Sequence, residues 1–228
     1  MKLLLTCEHG GANIPKRFAS AFINEKTTLQ THRGFDIGAL DLFKYLKPLA
    51  DFTNYSETSR LLIELNRSLH HKNLFSGYAK TLSNSDKEYL ITSYYKVYRN
   101  ALEQYISKEI NKENTVIHLA IHSFTPVLKG EQRTCDIGLL YDTERVEESK
   151  FCKTFKSNLH LENPRLKIRF NYPYLGKADG LTTYLRKQHP LNYIGIELEV
   201  NQKFASQNMM PSLLKHQIYG ALKASIIK

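Results

Sequence analysis

The residues Thr115-Val116-Ile117-His118-Leu119-Ala120-Ile121-His122-Ser123 decide the fold. Their β-branched and apolar composition predicts a central strand over 115–121 that ends at His122. Working outward, Leu3–Cys7 reads as a buried strand running into Glu8-His9-Gly10-Gly11, with Arg60–Leu65 and Ile137–Tyr141 as further short strands. Tyr193–Val200 alternates, with Ile194, Ile196, Leu198 and Val200 on one face and Gly195, Glu197 and Glu199 on the other. Helical patterns separate the strands. Asp36–Leu49 carries Ile37, Leu40, Phe43 and Leu46 on one stripe and stops near Pro48. After a polar loop, Asn66 to Asn84, Ser85 with Glu88 three residues on has the spacing of a capping box. It opens a long helix with Leu90, Tyr94, Val97, Leu102 and Tyr105 on its apolar face, and Glu144–Leu159 and Leu213–Ile227 are helical in turn. Strands alternating with helices predict an α/β domain with helices on both faces of a largely parallel sheet.

Composition sets limits on function. The 228 residues, 42% hydrophobic, suffice for one substantial core and are read as a single domain, 1–228. Lys plus Arg exceeds Asp plus Glu by 32 − 22 = +10, which favours anionic ligands through the long-range field. The basic residues are scattered, with no run of five and no RNA-binding signature, so no specific nucleic-acid partner is expected. Cys7, Cys135 and Cys152 lack C-x-x-C spacing, which argues against a disulfide scaffold or a cysteine zinc site and for a reducing cytoplasm. Lys2 before Leu3-Leu4-Leu5-Thr6-Cys7 has the order of a lipoprotein signal, but the apolar stretch falls short of a secretory core of roughly 7–15 residues. No run approaches the roughly 20 apolar residues that span a bilayer, so a soluble protein without a membrane partner is expected. The oligomeric state is left open.

In an open α/β sheet the ends of several strands meet at one edge. The clusters at Cys7 to Gly11, His32 to Asp36, Arg60 to Arg67, His122-Ser123 and Glu197-Leu198-Glu199 can therefore converge on one pocket. A lone histidine at a strand end is more often hydrogen-bonded than a ligand. His9 and His122 differ because each ends a strand expected to be central and precedes residues that open a loop. Catalytic zinc takes three ligands from histidine and carboxylate and leaves a position for water. Asp36 is the third candidate, although a carboxylate that opens a helix is equally a good first-turn residue. Arg60 and Arg67 bracket an apolar segment, and arginine suits bidentate carboxylate recognition. Glu197 and Glu199 protrude from one face of a buried strand, where an unpaired carboxylate is costly. No G-x-G-x-x-G or G-x-x-x-x-G-K-[ST] loop is present, and Ser123 lacks a G-x-S-x-G elbow.

Several stretches, taken together, resemble the N-formylglutamate amidohydrolase family, in family order from the first strand to the last. They are Thr6-Cys7-Glu8-His9-Gly10-Gly11-Ala12-Asn13-Ile14-Pro15, His32-Arg33-Gly34-Phe35-Asp36-Ile37-Gly38-Ala39 and Ser59-Arg60-Leu61-Leu62-Ile63-Glu64-Leu65-Asn66-Arg67. His122-Ser123-Phe124-Thr125-Pro126-Val127 with Gly130 and Arg133, and Glu199-Val200-Asn201-Gln202, complete the set. The resemblance implies a three-layer α/β/α sandwich around a mixed, largely parallel sheet, similar to the zinc-dependent exopeptidases and aspartoacylase. It implies hydrolysis of the amide of an anionic N-acyl amino acid, with N-formyl-L-glutamate giving formate and glutamate. It also matches His9 and His122 to the two histidine ligands of the wider group. The exopeptidase pattern has Glu three residues after its first histidine, where this chain has Ala12, so Asp36 is taken as the third ligand with Glu8 and His32 in reserve.

The site expected is zinc on His9, Asp36 and His122, with Glu199 as general base and Glu197 as its alternative. Arg60 is assigned to the oxyanion, and Asn66 and Arg67 to the substrate carboxylate with Arg133 as a further candidate. Two other readings keep the fold: a hydrolase of another N-acyl amino acid or small peptide, or a carboxylate-binding module without turnover.

Overall fold

The computed structural model describes residues 1–226. In chain order the strands are β1 (Lys2–Cys7), β2 (Phe52–Tyr55), β3 (Val116–Phe124), the short hairpin pair β4 (Val127–Leu128) and β5 (Glu131–Gln132), β6 (Ile137–Leu140), β7 (Ile168–Phe170) and β8 (Tyr193–Asn201). The helices are α1 (Lys26–Leu29), α2 (Ala39–Leu46), α3 (Asn84–Leu90), α4 (Lys96–Ile110), α5 (Val146–Glu162), α6 (Leu181–Gln188) and α7 (Ser212–Ile226). Six strands form one sheet in the order β2-β1-β3-β8-β6-β7. The first four of these run parallel, while β6 is antiparallel to β8 and parallel to β7, so the sheet is mixed.

As its apolar sequence requires, β3 is buried at every residue, and it pairs with β8 from Val116 opposite Tyr193 to Phe124 opposite Asn201. The alternation of side chains divides the core in two. Leu5, Leu119, Ile121, Ile196 and Leu198 face a layer that includes Phe43 of α2, Phe155 of α5 and Ile218 of α7. Leu4, Val116 and Tyr193 face the other layer, with Tyr98 and Leu102 of α4 and Leu181 of α6. The chain leaves β1 through α2 on one face to reach β2, then returns through α3 and α4 on the opposite face to β3, on the other flank of β1. That reversal makes the carboxyl ends of β1 and β3 the switch point where open α/β sheets place their ligands. Among the described residues no helix is long and apolar enough to cross a membrane.

Several expectations need correction. Arg60–Leu65 is a series of turns, held by local bonds such as Leu62 N to Ser59 O, and Leu62, Ile63 and Leu65 are buried as a loop over the second core. Asp36 precedes its helix: Gly38, at φ 79°, bends the chain, and α2 starts at Ala39. The cap of α3 is Ser83, whose hydroxyl accepts from Asp86 N at 3.1 Å, rather than Ser85. A π-helical turn over Ile91–Tyr95 adds a residue and rotates the buried stripe to Tyr95, Tyr98 and Leu102, leaving Val97 61% exposed. Patterns too short to read from sequence supply β2, β7 and α6, and Ile227, the expected end of the last helix, lies outside the described residues.

Gly138 in β6 sits opposite Glu199, and a Cβ there falls on the Tyr172 carbonyl oxygen and 3.3 Å from Glu199 Cβ. Gly138→Ala is expected to cost about 1–3 kcal/mol by overpacking, seen as a lower urea midpoint at unchanged slope.

Candidate metal centre and substrate pocket

The register of β1 against β3, with Thr6 opposite Ala120, brings Glu8 and His9 out of β1 beside His122. On the other flank, Glu199 of β8 lies opposite His122. Asp36 enters from the turn before α2, its N–H donating to the His9 carbonyl at 2.9 Å. All five side chains are buried, between 1% exposed for Glu8 and 5% for Glu199.

Asp36 Oδ2 lies 2.9 Å from His122 Nδ1 and 3.3 Å from His9 Nδ1, and the ligand atoms of the three residues fall within 4.8 Å of one another. The far nitrogen of each ring meets a second carboxylate. His9 Nε2 contacts Glu64 Oε1, and His122 Nε2 lies 3.1 Å from Glu8 Oε2. The latter contact is close but too poorly aligned for a hydrogen bond, so it acts as an ion pair. A carboxylate on one ring nitrogen fixes a proton there and turns the other nitrogen's lone pair inward, the arrangement that orients histidine toward a metal. The outer carboxylates are themselves held. Tyr98 OH donates to Glu8 Oε1 at 2.8 Å, and Arg60 donates from Nε and Nη2 to Glu64 Oε2 at 2.9 and 2.6 Å and from Nη1 to Asp36 Oδ1 at 3.2 Å. Two imidazole nitrogens and a carboxylate oxygen, converging among buried negative charges, fit a divalent cation.

The electrostatics point the same way. Burial pushes the His122 pKa down, but Asp36 and Glu8 outweigh it and hold the ring well above its ordinary range. For His9, burial and Arg60 lower the pKa, and Glu64 and Asp36 bring it above the ordinary value. Burial opposes ionisation of Asp36 and Glu64, yet the histidines and Arg60 hold both far below the usual carboxylate range. Against the same opposition, His122 brings Glu8 down to about 2. In the chain by itself, protons on the imidazoles therefore supply positive charge that a bound cation would replace. Glu199 differs: burial, opposed by His122 but reinforced by Asp36 and Glu197, pushes its carboxyl up to about 8, and its Oε2 has no hydrogen-bond partner.

A cavity of about 310 Å³ opens over these groups, lined also by Arg60, Asn66, Arg67, Tyr174 and Glu197. Asn66 Oδ1 accepts from Leu181 N at 2.7 Å, which leaves its amide nitrogen available, and Arg67 Nη1 donates to the Asp179 carbonyl. Glu197 Oε1 accepts from Thr182 Oγ1 at 3.0 Å. Arg133 is the sequence candidate outside the wall: it donates to Tyr174 OH at 3.2 Å and lies over the rings of Tyr174 and Phe124. His32 is exposed, and Glu8 stands behind His122 rather than beside Asp36, so neither reserve ligand joins the group. Sequence reasoning gave no role to Glu64. Its signal was the four-residue spacing from Arg60, an ion-pair distance in a helical turn but roughly 13 Å along a strand.

Fold and site together define an α/β/α sandwich protein with a buried His9, Asp36 and His122 group that could hold a metal ion at the switch point of its sheet. The family model of N-formylglutamate amidohydrolase matches residues 1–204, and the chain belongs to that family, one of amide hydrolases by name. Among solved structures, it is similar to a gene product of Agrobacterium tumefaciens, with 22% identity and a TM-score of 0.80 over 98% of this chain and 90% of that one. It is also similar to N-formylglutamate amidohydrolase from Ralstonia eutropha, with 15% identity and a TM-score of 0.72 over 98% of this chain and 91% of that one. At these identities the likeness concerns the fold. A comparison with curated proteins finds no match.

Two outcomes are expected. Glu64→Gln weakens the anchor on His9 and lowers divalent-metal affinity by ~10–100-fold, measured by competition with a chromogenic chelator. The second concerns stability in the presence of chelator. Because the folded-state pKa of Glu199 is raised from 4.5 to about 8, the folded chain retains that proton longer than the unfolded one, and this group removes stability as pH rises through that window. Glu199→Gln removes that slope, so its thermal midpoint should exceed the wild type's at pH 8 more than at pH 5.

Proposed function

We propose that the chain is a zinc-dependent amidohydrolase, one catalytic domain over residues 1–228, that hydrolyses N-formyl-L-glutamate to formate and glutamate. The observation that carries this reading is the meeting, in one cavity, of the buried His9, Asp36 and His122 group with Glu199 and with Arg67 and Asn66. A cation-holding group and a base stand at one side and a carboxylate clamp at the other, which suits a short acylated amino acid.

Arg67 and Asn66 take the substrate carboxylate, the guanidinium as a fork and the amide nitrogen as a further donor. His9, Asp36 and His122 hold the zinc, which when bound supplies Lewis acidity that polarises a carbonyl and acidifies water. Glu199 takes a proton from the water that attacks the formyl carbon. It then passes that proton to the amide nitrogen as the C–N bond breaks, leaving formate and the free amine. Burial, which raises the Glu199 pKa in the chain by itself, strengthens it as a base once ionised. Three N–H groups of Arg60 are bonded to Glu64 and Asp36, and the remaining two are assigned to the oxyanion.

The decisive measurement is steady-state kinetics with metal content determined on the same samples. Glu199→Gln should retain metal and substrate binding and lose ~10²–10⁴-fold in kcat, with a smaller loss for Glu197→Gln. Arg67→Lys should raise KM with little change in kcat, since the charge stays and the fork is lost. Near wild-type kcat in Glu199→Gln would remove this residue as the base. A wild type that binds N-formylglutamate without releasing formate would be a binding module.

A further inference from the structure

A second buried guanidinium, Arg99 of α4, has no carboxylate within ion-pair reach among the described residues. It is 3% exposed and lies just beyond the π-helical turn. Its Nη2 donates to the carbonyls of Leu65 at 3.1 Å and Arg67 at 2.8 Å, on either side of Asn66, and Tyr95 OH donates to the same Arg67 carbonyl at 2.7 Å. Its Nε has no partner. Burial lowers its pKa, and Glu8 and Asp179 act on it only through space, while Glu103, one helical turn on, acts on the Tyr184 hydroxyl. A buried arginine is ordinarily paired, because desolvating a guanidinium without a counter-ion is expensive.

Arg99 also forms part of the wall of a cavity of about 380 Å³, separate from the metal site, together with Lys96, His70, Leu69 and the rings of Tyr95 and Tyr184. The guanidinium carbon lies 4.4 Å from the Tyr95 ring centroid and 4.9 Å from that of Tyr184. A cation set between two aromatic rings, with Lys96 and the aliphatic Leu69 also in the wall and Glu103 as its one carboxylate, favours an organic acid with a flat apolar body over an inorganic anion. We propose that this cavity is a second ligand site for a small organic carboxylate, which supplies the missing counter-ion of Arg99 and so steadies the Asn66–Arg67 clamp. The binding stands by itself; the coupling to the clamp rests on the function proposed above.

The test compares benzoate with its neutral isostere benzamide at fixed ionic strength, following binding by saturation-transfer NMR and, in parallel, hydrolysis. Benzoate should saturate the wild type and benzamide should not, and Arg99→Gln should weaken benzoate at least ~10-fold, the scale of a charge-assisted hydrogen bond. Asn100→Phe fills the cavity from its exposed rim with Arg99 intact, so it serves even where Arg99→Gln fails to fold. It should abolish benzoate binding and leave basal hydrolysis unchanged. In the wild type, benzoate should lower KM at constant kcat, because a clamp already ordered costs less to engage. No saturation over roughly 1–10 mM, the range expected of a fragment, overturns the site. Binding that survives Asn100→Phe also overturns it, since benzoate then sits elsewhere, for instance on Arg67. Binding lost in Asn100→Phe from a chain that hydrolyses nothing would leave the site standing and remove the proposed function instead.

Discussion

The carboxylate of Asp36, held between two imidazole nitrogens where solvent hardly reaches, is the interaction on which the rest of the site depends. It can form only because β1 and β3 end side by side while the turn before α2 closes over them, tied by the bond from Asp36 N to the His9 carbonyl. Each imidazole is braced from behind by its own carboxylate, so neither ring can rotate without breaking a buried contact. In a low-dielectric setting such contacts are strong, and leaving one unmade is correspondingly costly.

The same crowding of carboxylates explains the charge pattern. Asp36 and Glu64 stay ionised because His9, His122 and Arg60 are bonded to them, whereas Glu199, with one oxygen unpartnered, is driven toward its neutral form by burial. Environment alone thus pushes the Asp36 and Glu64 pKa values down and that of Glu199 up, the condition under which acid–base roles diverge. The +10 overall balance works at longer range and favours the approach of an anion to a site whose interior is rich in negative charge.

The segment from Arg60 to Arg67 joins both halves of the pocket. At one end Arg60 and Glu64 brace the His9, Asp36 and His122 group; at the other Asn66 caps α6 through Leu181 N, and the Arg67 carbonyl is held by Arg99 and Tyr95. A strand could not do this, because its side chains would point along a pleat instead of folding back on one another. The apolar Leu62, Ile63 and Leu65 fix the loop by burial, which frees its polar residues for the pocket.

Much of the fold was legible in the sequence because β1, β3 and β8 are buried and so carry an apolar run or an alternation that only a sheet interior demands. That His9 and His122 approach one another followed from the same logic, as strand ends in such sheets share an edge, whereas Asp36 was taken in place of the carboxylate missing at Ala12 and Glu199 was preferred to Glu197 from the family resemblance. What tertiary structure decided is everything that depends on contacts between distant residues. Arg60–Leu65 has an extended pattern yet turns, because its apolar side chains Leu62, Ile63 and Leu65 find the second core. Val97 is exposed because an added helical residue shifts the phase of α4, and Arg133 stacks on aromatic rings outside the pocket wall. Sequence periodicity records which face of an element avoids water. It does not record which buried carboxylate stands behind which histidine, since that depends on strand register and on a loop whose path is set by packing.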